Sequence, residues 1–293
     1  MITTSPVPQI TLNDGNTIPQ LGYGTLALQP DRESTDANAA ITAQIVTHAL
    51  EAGYRHIDTA QSYGTELGVG RAITASGIPR EEIYITSKLA NANHAPDDVK
   101  RSFEQTLQHL GVDYLDLFLI HWPLPTLYGG DYVSTWRAVN EFVADGRLRS
   151  AGVSNFQPAH LDRIIAQTGL TPTVNQFEIH PYFNNDAPRH ACARHGIAVE
   201  AHSPLGHNSA PLSDPTIAAI ATVHDKTVAQ VILRWHIQHG TIAIPKSAKP
   251  ERMAENLDVL GFELTAQQMT AIDKLDHGDT GRVGPNPDTY EGV

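Results

Sequence analysis

Four residues of this 293-residue chain have types and positions suited to moving a proton. Asp58, Lys88 and His121 each close, or nearly close, a short apolar, β-branched run: HIDT (56–59), IYITSK (83–88) and YLDLFLIH (114–121). Tyr63 lies in the segment just after Asp58. A lysine that ends an apolar strand is desolvated and needs a partner, and Asp58 on the neighbouring run is within reach. A Lys88 ammonium beside the Tyr63 phenol favours the phenolate, which predicts a phenol pKa below the free value of about 10. A tyrosine tuned in this way donates a proton near neutral pH and recovers it afterwards. Neutral His121 can hydrogen-bond a carbonyl oxygen and hold it in place. The set suits proton delivery to an oxygen that gains negative charge, and it holds no serine or cysteine nucleophile with an adjacent base. Singly, Tyr63 reads as a surface-loop tyrosine and Asp58–Lys88 as a structural ion pair. Their company carries the chemistry.

The elements that position them recur regularly. Gly53, Gly77, Gly111, Gly146, Gly169, Gly196 and Gly240 each separate a helix-like segment from an apolar run. Their mean spacing is about 31 residues, the size of one strand–helix–strand unit. Further runs are SAGVSN (150–155), TVNQFEI (173–179), IAVEAHS (197–203) and TIAIPKS (241–247), and LGYGT (21–25) supplies an eighth. Residues 36–50 place Ile41, Ile45 and Ala49 on one predicted packing face. Thr227 with Gln230 and Thr265 with Gln268 fit capping boxes, and Asp214-Pro215 fits a cap followed by proline at the first helical position. Eight such alternations predict an α/β fold, a closed (β/α)8 TIM barrel, as one domain over 1–293. Asp14-Gly15 within 9–21 predicts a β-hairpin, read as a plug across the amino-terminal end of the barrel. Extra helices (one at 266–275) and a Gly/Pro-rich tail, 278–293, come last. Active sites of such barrels lie where the strands end. The other strand ends carry Ser154-Asn155, Gln176, His202 and Lys246-Ser247.

Composition removes several function classes. The formal charge is −12 and the pI near 5.6, a poor basis for binding nucleic acid or anionic membrane. No run approaches the ~18 apolar residues of a membrane span, and MITTSPVPQI lacks the features of a secretory leader. One cysteine, Cys192, excludes an internal disulfide; it reads as an inert, half-buried helix residue. A soluble, cytoplasmic protein is expected. With no His-Glu-x-x-His and no strand-end His-x-His, no metal is expected, which disfavours a metal-dependent barrel hydrolase. The letters G-x-G-x-x-A at Gly22–Ala27 lead into LQPDREST and not into a helix, so they fail as a Rossmann fingerprint. Gly68-Val-Gly70 falls inside a helical segment. His94, His160, His195, His224 and His239 read as solvated, and His56 and His180 as structural.

The stretches GYRHIDTAQSYGTELGVGRAI (53–73), YITSKL (84–89), LFLIHWP (117–123), GVSNF (152–156), VNQFEIHPY (174–182) and IPKSAKPERMAENL (244–257) resemble the aldo-keto reductases, in order and over nearly the whole chain. The short tail and SPLG (203–206) are most similar to the prokaryotic branch containing 2,5-diketo-gluconate reductases. The resemblance implies reduction of an aldehyde or ketone by NADPH, with Asp58, Tyr63, Lys88 and His121 as catalytic tetrad and Tyr63 as general acid. It implies Ser154, Asn155 and Gln176 on the nicotinamide and Lys246, Ser247 and Arg252 on the 2′-phosphate of NADP. Glu255 and Asn256 fall on the adenine, and Thr25, His202, Ser203, Leu205 and Gly206 also join the cofactor set. Tyr23, Trp122 and Tyr128 are candidates for the substrate pocket. A small-molecule carbonyl partner and a monomer are implied. Blander readings stand beside these: Ser154-Asn155 as a helix cap, Arg252 and Glu255 as a surface helix pair, and the whole protein as a cofactor-binding regulatory module with little catalysis. Three positions depart from the family. His202 stands where Tyr or Trp is usual, Ala90 where Trp is common, and Leu26 replaces a frequent aromatic.

Overall fold

The computed structural model describes residues 6–207 and 210–292. Met1–Ser5, which belong to the segment read against a secretory leader, and Val293 of the tail lie outside the described residues. Two short strands, β1 (Gln9–Thr11) and β2 (Thr17–Pro19), pair antiparallel around Asp14-Gly15 as predicted. Eight parallel strands follow: β3 (Tyr23–Gly24), β4 (His56–Asp58), β5 (Tyr84–Leu89), β6 (Leu115–Ile120), β7 (Leu148–Ser154), β8 (Val174–Glu178), β9 (Ala198–His202) and β10 (Ile242–Ala243). They lie in sequence order across the sheet. The sheet closes on itself because the chain around Leu21 pairs in parallel with Ala243. The Gly22 amide donates to the Ala243 carbonyl at 2.9 Å, and the Gly24 amide to that of Pro245 at 3.1 Å. The predicted (β/α)8 barrel is the observed fold.

Helices link the strands: α1 (Asp36–Ala52), α2 (Glu66–Ser76), α3 (Pro96–Leu110), α4 (Tyr132–Ala144), α5 (Pro158–Thr168) and α6 (Asp186–His195). The pair α7 (Pro215–His224) and α8 (Val228–Gln238) precedes β10, and α9 (Pro250–Leu257) and α10 (Ala266–Asp273) follow it. Both capping boxes form, and Asp214 caps α7. All seven spacing glycines adopt positive φ. At Gly53 (φ 114°) the left-handed turn lets its amide reach the Ala49 and Leu50 carbonyls, closing α1 without a Cβ clash. Gly68 and Gly70 do lie inside α2, where they let it approach α1 and α3. A Cβ on Gly68 would sit 2.7 Å from the Ala39 carbonyl oxygen, and one on Gly70 2.6 Å from that of His109.

The face of α1 that meets the barrel differs from the predicted one. Ala39, Thr42, Val46, Ala49 and Leu50 are buried, whereas Ile41 is 39% exposed and Ile45 only half-buried. The stripe is rotated because Thr42 is drawn inward by its hydroxyl, which donates to the Gln29 side-chain oxygen at 2.8 Å. Outward-facing strand residues such as Ile57, Ile85, Phe118 and Val153 form the main core with the helices. Inside the barrel, Leu117, Leu119, Val174 and Ile242 pack with Leu12 and Ile18 at the hairpin end. That apolar floor lies below the polar residues of the mouth.

Candidate active site

Strand alternation sends residues i and i+2 to the same face. Asp58 on β4 and Lys88 on β5 therefore point into the barrel, and Gln176 on β8 joins them across it. Lys88 Nζ donates to Asp58 Oδ1 at 2.5 Å, to the Thr59 carbonyl at 3.0 Å and to Tyr63 Oη at 3.4 Å. These contacts use all three ammonium hydrogens. Gln176 Nε2 donates to the other Asp58 oxygen at 2.8 Å. Lys88 is wholly buried and Asp58 2% exposed. Burial disfavours the Lys88 ammonium, but Asp58, Tyr63 and Glu200 more than offset it, and its pKa lies above the usual lysine value. The His121 ring stands edge-on to Tyr63, with centroids 5.6 Å apart. Burial, assisted by Lys88, His202 and Arg32, holds its pKa well below the ordinary histidine value, so the ring is neutral. The structure thus brings all four predicted proton-handling residues together.

One expectation about them is reversed. Burial raises the Tyr63 pKa more than Lys88 lowers it, so the phenol is a weaker acid than a free tyrosine. Sequence reasoning counted the ammonium but not the desolvation that the same strand ends impose on the phenol.

Around this centre, the Ser154 hydroxyl donates to the Gln176 carbonyl at 2.8 Å, and Asn155 Nδ2 to the His121 carbonyl at 2.9 Å. Neither caps the next helix; Gln157 and His160 do. His202 is tethered at both ring nitrogens, to Asn155 Oδ1 at 3.1 Å and to the Ser203 hydroxyl at 3.3 Å. An amide oxygen only accepts, so the His202 proton sits on Nε2. Thr25 is buried with its hydroxyl on the Asp58 carbonyl at 2.9 Å. Ser203, Leu205 and Gly206 form a turn closed by the Gly206 amide on the Ser203 carbonyl at 2.8 Å. Lys246, just before α9, and Arg252, in its first turn, are exposed, whereas Ser247 ahead of the helix and Asn256 in its last turn are buried. Glu255 does not pair with Arg252: its carboxylate accepts from the Thr227 hydroxyl at 2.6 Å.

Of the three pocket candidates, Trp122 and Tyr128 lie in the segment after β6, at the mouth. Trp122 packs on Tyr290 of the tail, centroids 4.3 Å apart. Tyr128 stacks on His94 and donates to the Asn91 carbonyl at 2.8 Å. Tyr23 is misassigned. Its neighbours Gly22 and Gly24 take the inward positions of β3, so the Tyr23 ring faces the helices, packing on Tyr54 with its hydroxyl on the Ser247 carbonyl. His94 and His160 are likewise buried, not solvated. Cys192 is fully buried, which pushes its thiol up to about 12.

Three site residues escaped the sequence reading. Glu200 sits beside Gln176 as its register partner on β9, Glu178 anchors the tail, and Arg32 acts electrostatically on Tyr63 and His121. Glu200 and Glu178 share the inward alternation of Gln176 and His202, a signal that the strand letters already contained.

A model of the aldo/keto reductase family matches residues 20–277. An aldo-keto reductase of Mycolicibacterium smegmatis is 50% identical over 283 residues, covering 97% of this chain and 98% of its own length. A variant of Gox0644 in complex with NADPH has a TM-score of 0.90 at 42% identity, covering 98% of this chain and 100% of its own. The Bombyx mori aldo-keto reductase in complex with NADP has a TM-score of 0.84 at 38% identity, covering 93% of this chain and 94% of its own. A closed barrel with a phenol, an amine, a carboxylate and an imidazole at its mouth belongs to an oxidoreductase acting on carbonyl groups. This chain is a member of the aldo/keto reductase family.

Proposed function

We propose that the protein reduces a small aldehyde or ketone to an alcohol with NADPH, and that Tyr63 delivers the proton to the carbonyl oxygen. The observation that carries this reading is the 3.4 Å contact between Lys88 Nζ and Tyr63 Oη, with Asp58 on the far side of the ammonium. Tyr63 stays protonated at neutral pH because its pKa is raised, and so holds a proton to give. Once the proton leaves, the Lys88 ammonium offsets part of the cost of a buried phenolate. Neutral His121 offers a ring nitrogen to the same oxygen, which orients the carbonyl toward Tyr63.

The residues present fit the dinucleotide. Two exposed cations, Lys246 and Arg252, flank the amino end of α9, where free backbone amides and the helix dipole favour a phosphate dianion. Gln176 has both Nε2 hydrogens engaged, on Asp58 and Glu200, and its Oε1 has no partner among the described residues. In this role it accepts a hydrogen bond from a carboxamide, while Ser154 and Asn155 hold the adjoining rim. When bound, the nicotinamide supplies the hydride. Trp122 and Tyr290 form an apolar wall on the substrate side, and the small Ala90 and the aliphatic Leu26 leave the facing side wider than an aromatic would. The test is loss of NADPH absorbance with a panel of aldehydes and ketones. Turnover with at least one class is expected. Tight NADPH binding with no turnover across the panel would favour a regulatory binding module instead.

A further inference from the structure

Below the Asp58–Lys88 pair lies a second carboxyl group for which the reduction chemistry has no use. Glu200, on β9, is completely buried. Its Oε2 accepts from Gln176 Nε2 at 3.0 Å. Its Oε1 has no hydrogen-bond partner among the described residues. His56 Nε2 is 3.7 Å away and is itself bonded to the Thr86 hydroxyl at 3.0 Å. The amide nitrogen of Gln176 thus bridges two acids.

Among the described residues, Lys88 is the one lysine or arginine that faces Glu200, and its three hydrogens go to Asp58, Thr59 and Tyr63. The groups that face Glu200 are His56 and Asp58 from β4, Tyr84 and Lys88 from β5, and Gln176 from β8. The remaining inward neighbours, Gly22, Leu119, Gly152 and Ile242, carry no charge. His56 is no substitute cation, since burial first and Lys88 in addition push its pKa down to about 3 against a backbone contact. An ionised Glu200 would be a buried anion with neither a bonded cation nor a second donor, which is strongly unfavourable.

We infer that Glu200 is a positioning residue of the site proposed above: an uncharged carboxylic acid that fixes the Gln176 amide against Asp58 and, while protonated, leaves Asp58–Lys88 a balanced ion pair. The inference rests on the proposed carbonyl reduction. Burial, with repulsion from Asp58, pushes the Glu200 pKa up to about 8 although Gln176 and Lys88 oppose it. Above that pH the buried cluster gains a net negative charge. This holds the Lys88 ammonium more firmly and opposes phenolate formation at Tyr63, so proton donation weakens. Glu200 is therefore a built-in alkaline brake on reduction.

The experiment combines kinetics with infrared spectroscopy on the full-length protein. The kcat for NADPH-dependent aldehyde reduction is followed from acid to alkaline pH in wild type and Glu200→Gln. Wild type should lose kcat with an inflection near pH 8. In Glu200→Gln, which keeps an acceptor for Gln176 but cannot ionise, that inflection should vanish, and kcat at alkaline pH relative to neutral pH should rise severalfold. Glu200→Leu, which cannot accept from Gln176, should raise the KM for NADPH, whereas Glu200→Gln should restore it. In wild type labelled with carbon-13 at glutamate carboxyls, a protonated-carboxyl stretch should be present at neutral pH and titrate away near pH 8. Absence of that stretch at neutral pH, or an unchanged inflection in Glu200→Gln, would overturn the inference. A wild type that reduces no carbonyl refutes the proposed function instead, and the infrared titration, which needs neither folding of a variant nor turnover, still decides the state of Glu200.

Discussion

Replacing Lys88 with methionine removes the charge while keeping much of the volume, and the structure separates its effects on stability and on activity. The ammonium is the one cation bonded to Asp58 among the described residues, at 2.5 Å, in a fully buried pair. Removing one partner of such a pair costs about 3–5 kcal/mol, because the other charge is left buried. The remaining donor, Gln176 at 2.8 Å, cannot replace it. Activity should fall by about 10²–10⁴-fold, the usual contribution of a positioned acid, since Lys88 is the leading opposition to the burial that raises the Tyr63 pKa. Adding Asp58→Asn removes the stranded charge, so the double variant should regain most of the stability and none of the turnover. Urea unfolding followed by tryptophan fluorescence, alongside NADPH oxidation with an aldehyde, measures both. A Lys88→Met protein as stable as wild type, or a double variant less stable than the single one, would refute the reasoning.

Other consequences are simpler to test. Burial raises the Glu178 pKa, but the carboxylate accepts from the Val283 and Gly284 amides at 2.7 and 2.8 Å and contacts His180 at 2.9 Å, which together hold it at about 2. The stabilisation is present above the ordinary glutamate value and is lost as pH falls through about 2. Glu178→Gln should therefore loosen the tail at neutral pH, read as faster limited trypsin cleavage after Arg282, next to the anchored Val283 and Gly284 amides, and a higher KM for the carbonyl substrate. Arg252→Ala should weaken NADPH by about tenfold or more, the worth of one charge-assisted contact, with little effect on NADH; equal losses in a fluorescence titration count against the phosphate site. Burial lowers the pKa of His56 and His236 to about 3 and of His94 to about 4. Unfolded, these rings take up protons near the ordinary value while the folded ones do not, so stability falls with falling pH across that interval. Each ring contributes up to about 1.4 kcal/mol per pH unit. A urea midpoint constant between neutral pH and pH 4 would exclude this.

The barrel and the proton-handling set were legible because they depend on local signals. The glycine spacing marks where each helix stops and the next strand begins, and Asp58, Lys88 and His121 fall at or next to the far ends of those strands whatever the helices do. Orientation was legible only where alternation was counted. Tyr23 looked like a mouth residue because it stands within LGYGT, yet its neighbours Gly22 and Gly24 take the inward positions. Glu200 could have been found from the same rule, since it alternates with His202. Other features depend on tertiary partners that letters do not name. The inward turn of Thr42 displaced Ile41 from the core, and the tail's anchorage on Glu178 joins residues about a hundred positions apart. The balance between burial and the Lys88 charge at Tyr63 needed the enclosure itself.

The most direct measurement is the Tyr63→Phe variant, assayed for aldehyde reduction and for NADPH binding by fluorescence titration in the same buffer. Loss of nearly all turnover, about 10²–10⁴-fold, with cofactor affinity close to that of wild type is the predicted result. Wild-type turnover in a protein that lacks the phenol hydroxyl would contradict the account.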